Sequence, residues 1–258
     1  MAPIGVFDSG IGGLSVVVEL LRLRPGTAVR YVADQAHAPY GERDLETVRA
    51  RAEAIAESLL DRGATTIVVA CHSASAAALD HLRERLDVPV VGMEPAVKPA
   101  AAETRSGIVG VLATDATLEA HRFAAVVDRH ARDVAVVARS CPGLAAAIER
   151  GDGLAVERLG GGYVADLTAR GVDTIVLGCT HYGLVADRLA RYAGPGVRLV
   201  DPAPAVARRT LEVAPTVDDG PLVVTTTGDP RRLRRRLGAL AERHPVLADA
   251  EIEREVGT

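Results

Sequence analysis

The chain has 258 residues, 48% of them hydrophobic and 25% charged, with a formal net charge of −4; that length allows one to two domains with a sizeable core. The charge balance excludes general attraction to nucleic acid or to an anionic membrane surface, and no apolar run approaches the roughly 20 residues of a membrane span. The start "MAPIGVFDSG" reads as no signal peptide, and three cysteines make no disulfide framework, so a reducing cytoplasm is the expected compartment.

Short β-branched runs predict strands at Ile4–Phe7, Val29–Val32, Thr66–Ala70, Val88–Gly92, Gly107–Leu112, Val134–Ala138, Thr174–Gly178, Val197–Val200 and Leu222–Thr226. Between them, amphipathic stretches predict helices near 13–23, 44–61, 74–86, 116–130, 154–169, 183–192, 203–213 and 229–242. Strands this apolar, each followed by a helix, predict an α/β fold of parallel sheets covered on both faces. Ligands in such folds sit beyond the carboxyl ends of the strands, so the polar residues there are the candidates for function.

The two halves repeat. "RGATTIVVAC" (62–71) and "RGVDTIVLGC" (170–179) agree at six of ten positions, and "IGVFDS" (4–9) faces "VGVLAT" (109–114). The offsets, 108 and 105 residues, are nearly equal. Two related α/β domains are expected, each placing one cysteine, Cys71 or Cys179, just after a strand.

A strand-end cysteine at a helix start lies near amide N–H groups and the positive end of the helix dipole. Both lower a thiol pKa from about 8.5. If the domains face each other, one sulfur can take a proton from a substrate carbon while the other returns one from the opposite side. Such stereoinversion needs neither metal nor cofactor. An isolated cysteine is usually a buried core residue, and that reading suits Cys141 in "RSCPGL".

Lys98 is the only lysine, which makes a pyridoxal phosphate Schiff base an unfavourable reading. The turn "FDSGIGGLS" (7–15) lacks the spacing and lysine of a phosphate loop. Asp8 in front of it would repel phosphate; it suits an ammonium group or a nearby thiol, and a helix cap or turn is its structural alternative. "ADQAHAPYGER" (33–43) offers the Tyr40 hydroxyl and the Gly41 amide. "RRLRRR" (231–236) reads as a solvated helix face, with Leu233, Leu237 and Leu240 as its apolar stripe.

Together "IGVFDSGIGGLSV", "DQAHAPYGER", "VVACHSASAAAL", "GMEPAVKPA" and "VLGCTHYGL" resemble the glutamate racemase family of the cofactor-independent aspartate/glutamate racemases. The resemblance implies interconversion of L- and D-glutamate, supplying D-glutamate for peptidoglycan. It also implies two pseudo-symmetric α/β domains around a cleft: residues 1–96 with a returning segment 208–258, and residues 97–207. Cys71 and Cys179 match the two catalytic bases; Asp8 matches the acid assisting the first, and His181 the residue assisting the second. Substrate contacts carry over to Asp8, Ser9, Tyr40, Gly41, Ser73, Thr180 and His181, and to Thr114 and Thr117. Glu149 matches a carboxylate near the second base. No cofactor and no metal are expected. The implied assembly is a homodimer without membrane or nucleic-acid partners, and a gyrase-type protein partner stays open.

One motif departs from the family. Where Asn-Thr usually follows the first cysteine, this chain has His72-Ser73. Serine keeps the hydroxyl. Imidazole replaces a fixed carbonyl and two N–H donors by one donor and one acceptor, at a position that touches the substrate. Three outcomes stay open: His72 donates to the substrate carboxylate, reshapes the pocket for aspartate or another small acid, or leaves a weak binding or regulatory protein. A metal on the adjacent Cys71-His72 pair is disfavoured, because no CxxC or HxxxH spacing accompanies it.

Overall fold

Residues 2–254 are described by the structure, a computed structural model. Its strands are β1 (Ile4–Asp8), β2 (Val29–Ala33), β3 (Thr66–Val69), β4 (Val90–Gly92), β5 (Ile108–Ala113), β6 (Ala135–Ser140), β7 (Thr174–Gly178), β8 (Arg198–Val200), β9 (Leu222–Thr226) and β10 (Glu251–Arg254). They form two parallel sheets, ordered β10-β9-β2-β1-β3-β4 and β6-β5-β7-β8. Each expected strand forms within two residues of its predicted bounds. β10 was not expected; its "EIER" is polar and charged, as suits a short sheet edge.

The sequence repeat is a repeat of topology. The order β2-β1-β3-β4 recurs as β6-β5-β7-β8, and the register recurs with it. Ile4 pairs with Thr66 in the first sheet, and Val109 pairs with Thr174 in the second. The first sheet is then extended by β9 and β10 on the β2 edge, so the chain returns to it after completing the second.

Side-chain alternation decides what covers each face. Phe7, Val32, Ile67 and Val69 pack under Ile55, Leu59, Leu79 and Leu82 of the helices Leu45–Asp61 and His72–Arg85. The opposite face, with Val6, Tyr31, Val68 and Val224, belongs to a core that continues through Leu14, Leu177, Tyr182, Leu184 and Val206 into the second sheet's layer. The helix Ala203–Val213 packs along Leu14–Leu23, and the division expected at 207/208 falls inside it.

Helix boundaries follow local chemistry. Asp44 and Asp152 cap the helices Leu45–Asp61 and Gly153–Thr168 by accepting from Thr47 N (2.8 Å) and Ala155 N (3.0 Å). The single helix expected near 116–130 is two, Asp115–Glu119 and His121–His130, because Ala120 is extended (φ −69°, ψ 134°). Neither Gly nor Pro marks that break. Three short helices were not expected: Val97–Glu103, Leu144–Arg150 and Thr180–Gly183. Among the described residues no helix is long and apolar enough to cross a membrane.

Candidate active site between the two sheets

Parallel pairing brings the candidate residues to one edge. β1 and β3 run side by side with Phe7 opposite Val69, so Asp8 and Cys71 emerge together. β5 and β7 pair Ala113 with Gly178, so Thr114 emerges beside Cys179. Each cysteine is the extended residue before a helix, and their backbones nearly coincide: φ −146°, ψ 124° at Cys71 and φ −147°, ψ 134° at Cys179.

Both sulfurs border one cavity of about 180 Å³, lined also by Ser9, Gln35, Tyr40, Gly41, His72, Ser73, Thr114, Glu149, Thr180 and His181. That volume lies below the roughly 300–1,000 Å³ of drug-sized ligand sites and suits a small polar metabolite. Asp8 and Thr117 stand behind the lining, both buried.

The repeat is broken beside the two cysteines. In register, Asp8 corresponds to Ala113 and Ser73 to His181. Cys71 therefore has a carboxylate for a neighbour, and Cys179 an imidazole. Asp8 Oδ2 accepts from Gly13 N (2.9 Å), and Oδ1 is buried without a hydrogen bond. Burial raises the Asp8 pKa, against the lowering effects of His181, Cys71 and the Gly13 amide. Burial, then Asp8, pushes the Cys71 thiol well up, although the Ala74 amide opposes them. The expected helix-terminal lowering is present at Cys71, but desolvation and the carboxylate outweigh it.

At the second cysteine, Cys179 Sγ lies 3.9 Å from His181 Nδ1, and His181 Nε2 lies 2.7 Å from Glu149 Oε2. The same Oε2 accepts from Ile11 N (3.0 Å), and Oε1 accepts from Gln35 Nε2 (2.5 Å). Burial opposes charge on His181, but Cys179, Glu149 and Asp8 outweigh it and hold its pKa well above the usual value. Glu149 is lowered to about 2: burial would raise it, and His181 with the two N–H donors prevails.

The glycine-rich turn now has a physical reason. A Cβ on Gly10 would sit 2.3 Å from Glu149 Oε2, and one on Gly12 2.5 Å from His181 Nδ1. The turn lets the His181–Glu149 pair of the second unit pack directly against β1.

Hydroxyls bridge the cleft on the other side. Ser73 Oγ lies 3.0 Å from Thr114 Oγ1, which lies 3.0 Å from Thr117 Oγ1. The Tyr40 hydroxyl, expected to face the site, instead donates to Asp34 Oδ2 (2.6 Å). Asp34 also accepts from Arg51 (two bonds of 3.0 Å) and Thr227 (2.7 Å), so Tyr40 is held as a wall of the cavity. His72 is 3% exposed, and neither ring nitrogen has a hydrogen-bond partner. Burial pushes its pKa down to about 3, against a smaller raising effect of the Glu94 backbone, so the ring is neutral.

Cys141 does not line this cavity; its sulfur points to Arg139 O (3.4 Å). Sequence reasoning missed Gln35, Arg150 and Arg232, all of which do line it. Arg150 was hidden by the unforeseen helix Leu144–Arg150, whose flanking Gly143 and Gly151 (both φ +77°) were the available signal. Arg232 was hidden by the reading of 231–236 as a solvated face. That reading holds for Arg231, Arg234 and Arg235, which are exposed, and is corrected for two residues: Arg232 borders the cavity, and Arg236 donates to Ile148 O (2.9 Å).

Among the described residues, no group of three or more His, Cys, Asp and Glu side chains is placed to hold a metal ion. What converges instead is a thiol beside a carboxylate, a thiol beside a buried imidazole–carboxylate pair, and a set of hydroxyls between them. The chain belongs to the Asp/Glu/Hydantoin racemase family, whose model matches residues 9–210, and it is accordingly an isomerase. Within that family it is a member of the glutamate racemase group. The glutamate racemase of Pseudomonas putida (strain W619) is 49% identical over 248 residues, covering 93% of this chain and 94% of that protein. Of the solved structures, a Bacillus anthracis glutamate racemase isoform superposes with a TM-score of 0.86 at 28% identity, covering 99% of this chain and 97% of that one. The Escherichia coli glutamate racemase, in complex with L-glutamate and the activator UDP-MurNAc-Ala, gives 0.84 at 31% identity over the whole of both chains.

Proposed function

We propose that this protein interconverts L- and D-glutamate by two-base proton transfer, with Cys71 and Cys179 on opposite faces of Cα. The observation that carries the reading is the pair of cysteines at register-equivalent strand ends on one small cavity. One sulfur, as thiolate, takes the Cα proton; the other, as thiol, delivers a proton to the opposite face. The enzyme then holds the reversed thiol/thiolate pair and must exchange protons before the next turnover in the same direction.

The neighbours of the two sulfurs differ. Asp8 beside Cys71 favours the protonated thiol. His181, with its charged form favoured, faces Cys179 across 3.9 Å. Negative charge developing on the α-carboxylate meets the hydroxyls of Ser9, Ser73, Thr114 and Thr180 and the strand-end amides, with Gly41 and Tyr40 closing the side. Thr117 orients Thr114. No step calls for a metal or an organic cofactor.

The topology supports two domains that divide near residues 96/97, with the chain returning to the first ahead of the helix Ala203–Val213 rather than at 207/208. The proposed setting is a cytoplasmic homodimer supplying D-glutamate for peptidoglycan.

The test is incubation in D2O with each enantiomer of glutamate and aspartate, following Cα deuterium and optical rotation. Exchange and inversion of glutamate are expected. Inversion of aspartate alone would move the substrate to the shorter acid, and no exchange with either would reject the racemase reading.

His72 makes a separate prediction. A neutral imidazole is bulkier than the asparagine usual in the family, and it narrows the cavity where substrate is held. His72→Asn should therefore raise the ratio of kcat/KM for glutamate over aspartate by about fivefold, within the ~1–3 kcal/mol that small changes in pocket volume are worth. An unchanged ratio would show that His72 does not shape selectivity.

A further inference from the structure

We propose that Arg150 and Arg232 form a cationic mouth that draws the acidic amino acid into the cleft, one arginine contributed after a strand of each sheet. This proposal rests on the acidic-substrate reading above. The cavity wall grades in exposure: Cys71, His72, Ser73, Glu149, Cys179 and His181 are buried, whereas Arg150 is exposed and Arg232 half-buried. The two arginines therefore stand at the open end.

Their charge is not spent elsewhere. Among the described residues neither Arg150 nor Arg232 makes a hydrogen bond or an ion pair. The acidic residue lining the cavity, Glu149, is committed to His181, Ile11 and Gln35. One helical turn beyond Arg232, Arg236 donates to Ile148 O, which holds the helix Pro230–Ala241 against the segment that carries Glu149 and Arg150. The mouth thus presents two uncompensated positive charges on a protein whose net charge is −4. An amino acid with two carboxylates and one ammonium carries a net −1 and is attracted; a neutral amino acid is not.

Attraction at a rim raises the local substrate concentration and the capture rate, by between about 10- and 1,000-fold in strongly focused clefts, and it is screened by salt. The experiment compares wild type, Arg150→Gln, Arg232→Gln, the double variant and Arg232→Lys in glutamate racemisation, at low salt and at about 1 M salt. The Debye length at 1 M falls to roughly 3 Å. At low salt kcat/KM should fall several-fold in each Gln variant and about tenfold in the double variant, with kcat within about twofold of wild type. The deficit should vanish at 1 M salt, and Arg232→Lys should behave as wild type. Unchanged kcat/KM at low salt, a deficit that persists at 1 M, or an equal loss in kcat would each overturn the mouth while leaving the racemase reading intact. A wild-type chain inactive on every acidic amino acid would remove both.

Discussion

Cys71→Ser and Cys179→Ser should each abolish racemisation, lowering kcat by about 10²–10⁴, the usual range for a lost general acid or base. A serine hydroxyl is close to isosteric with the thiol but cannot ionise near neutral pH. Both cysteines are buried, at 5% and 8% exposure, and neither closes a disulfide, so the substitution leaves packing almost untouched. The cavity carries these two sulfurs at equivalent strand ends, so either variant retains a base on one face only. The surviving cysteine can still remove a proton from the enantiomer whose Cα–H faces it and return deuterium to the same side. Each variant should therefore exchange one enantiomer with D2O without inverting it, and the two variants should choose opposite enantiomers. Inversion at wild-type rate in either variant would sink the two-base reading. Loss of inversion with both variants exchanging the same enantiomer would place both sulfurs on one face.

How far the sequence revealed this site follows from which physical signals are local. β1, β3, β5 and β7 are buried on both faces and therefore read as continuous β-branched runs; parallel pairing then makes their ends converge. That made Cys71, Cys179 and Asp8 legible. The Leu144–Arg150 helix was not legible, because seven residues with three consecutive alanines carry too little periodicity to register. Arg232 failed for another reason. Its helix does have the expected stripe, with Leu233, Leu237 and Leu240 buried, but which of the remaining faces meets the other unit depends on how the C-terminal return docks. The Tyr40 hydroxyl is the same kind of case: its partner Asp34 is six residues away, but Thr227, which completes the network, comes from beyond β9. The raised pKa of the Cys71 thiol is also non-local, since helix position lowers a thiol pKa and only burial beside Asp8 reverses it.

Glu149→Gln should be the second large effect, and it should separate by pH into two parts. In the proposed mechanism Glu149 touches no reacting atom; its carboxylate pairs with His181 and ties Ile11 and Gln35 to the second unit. Glutamine can keep most of these hydrogen bonds if Gln35 rotates its amide, so the variant chiefly removes charge. Without the carboxylate, burial dominates at His181, whose pKa should fall and whose positive charge beside Cys179 should be lost near neutral pH. The expected kcat loss is about 10²-fold, the lower end for a misassisted acid–base group, with KM little changed and the pH optimum displaced toward acid. The stability linkage has a defined sign. Glu149, lowered to about 2 from 4.5, contributes stability that is present above pH 4.5 and lost as pH falls toward 2. His181, raised from 6.5, contributes stability that is full below pH 6.5 and lost as pH rises through its folded pKa. Between about pH 4.5 and 6.5 both are in force, so denaturant unfolding there should show the largest gap between wild type and variant, about 3 kcal/mol for a broken buried pair. The gap should close on both sides of that window. A gap independent of pH would mean that Glu149 acts through packing alone, and a variant with wild-type kcat would remove the pair from the mechanism.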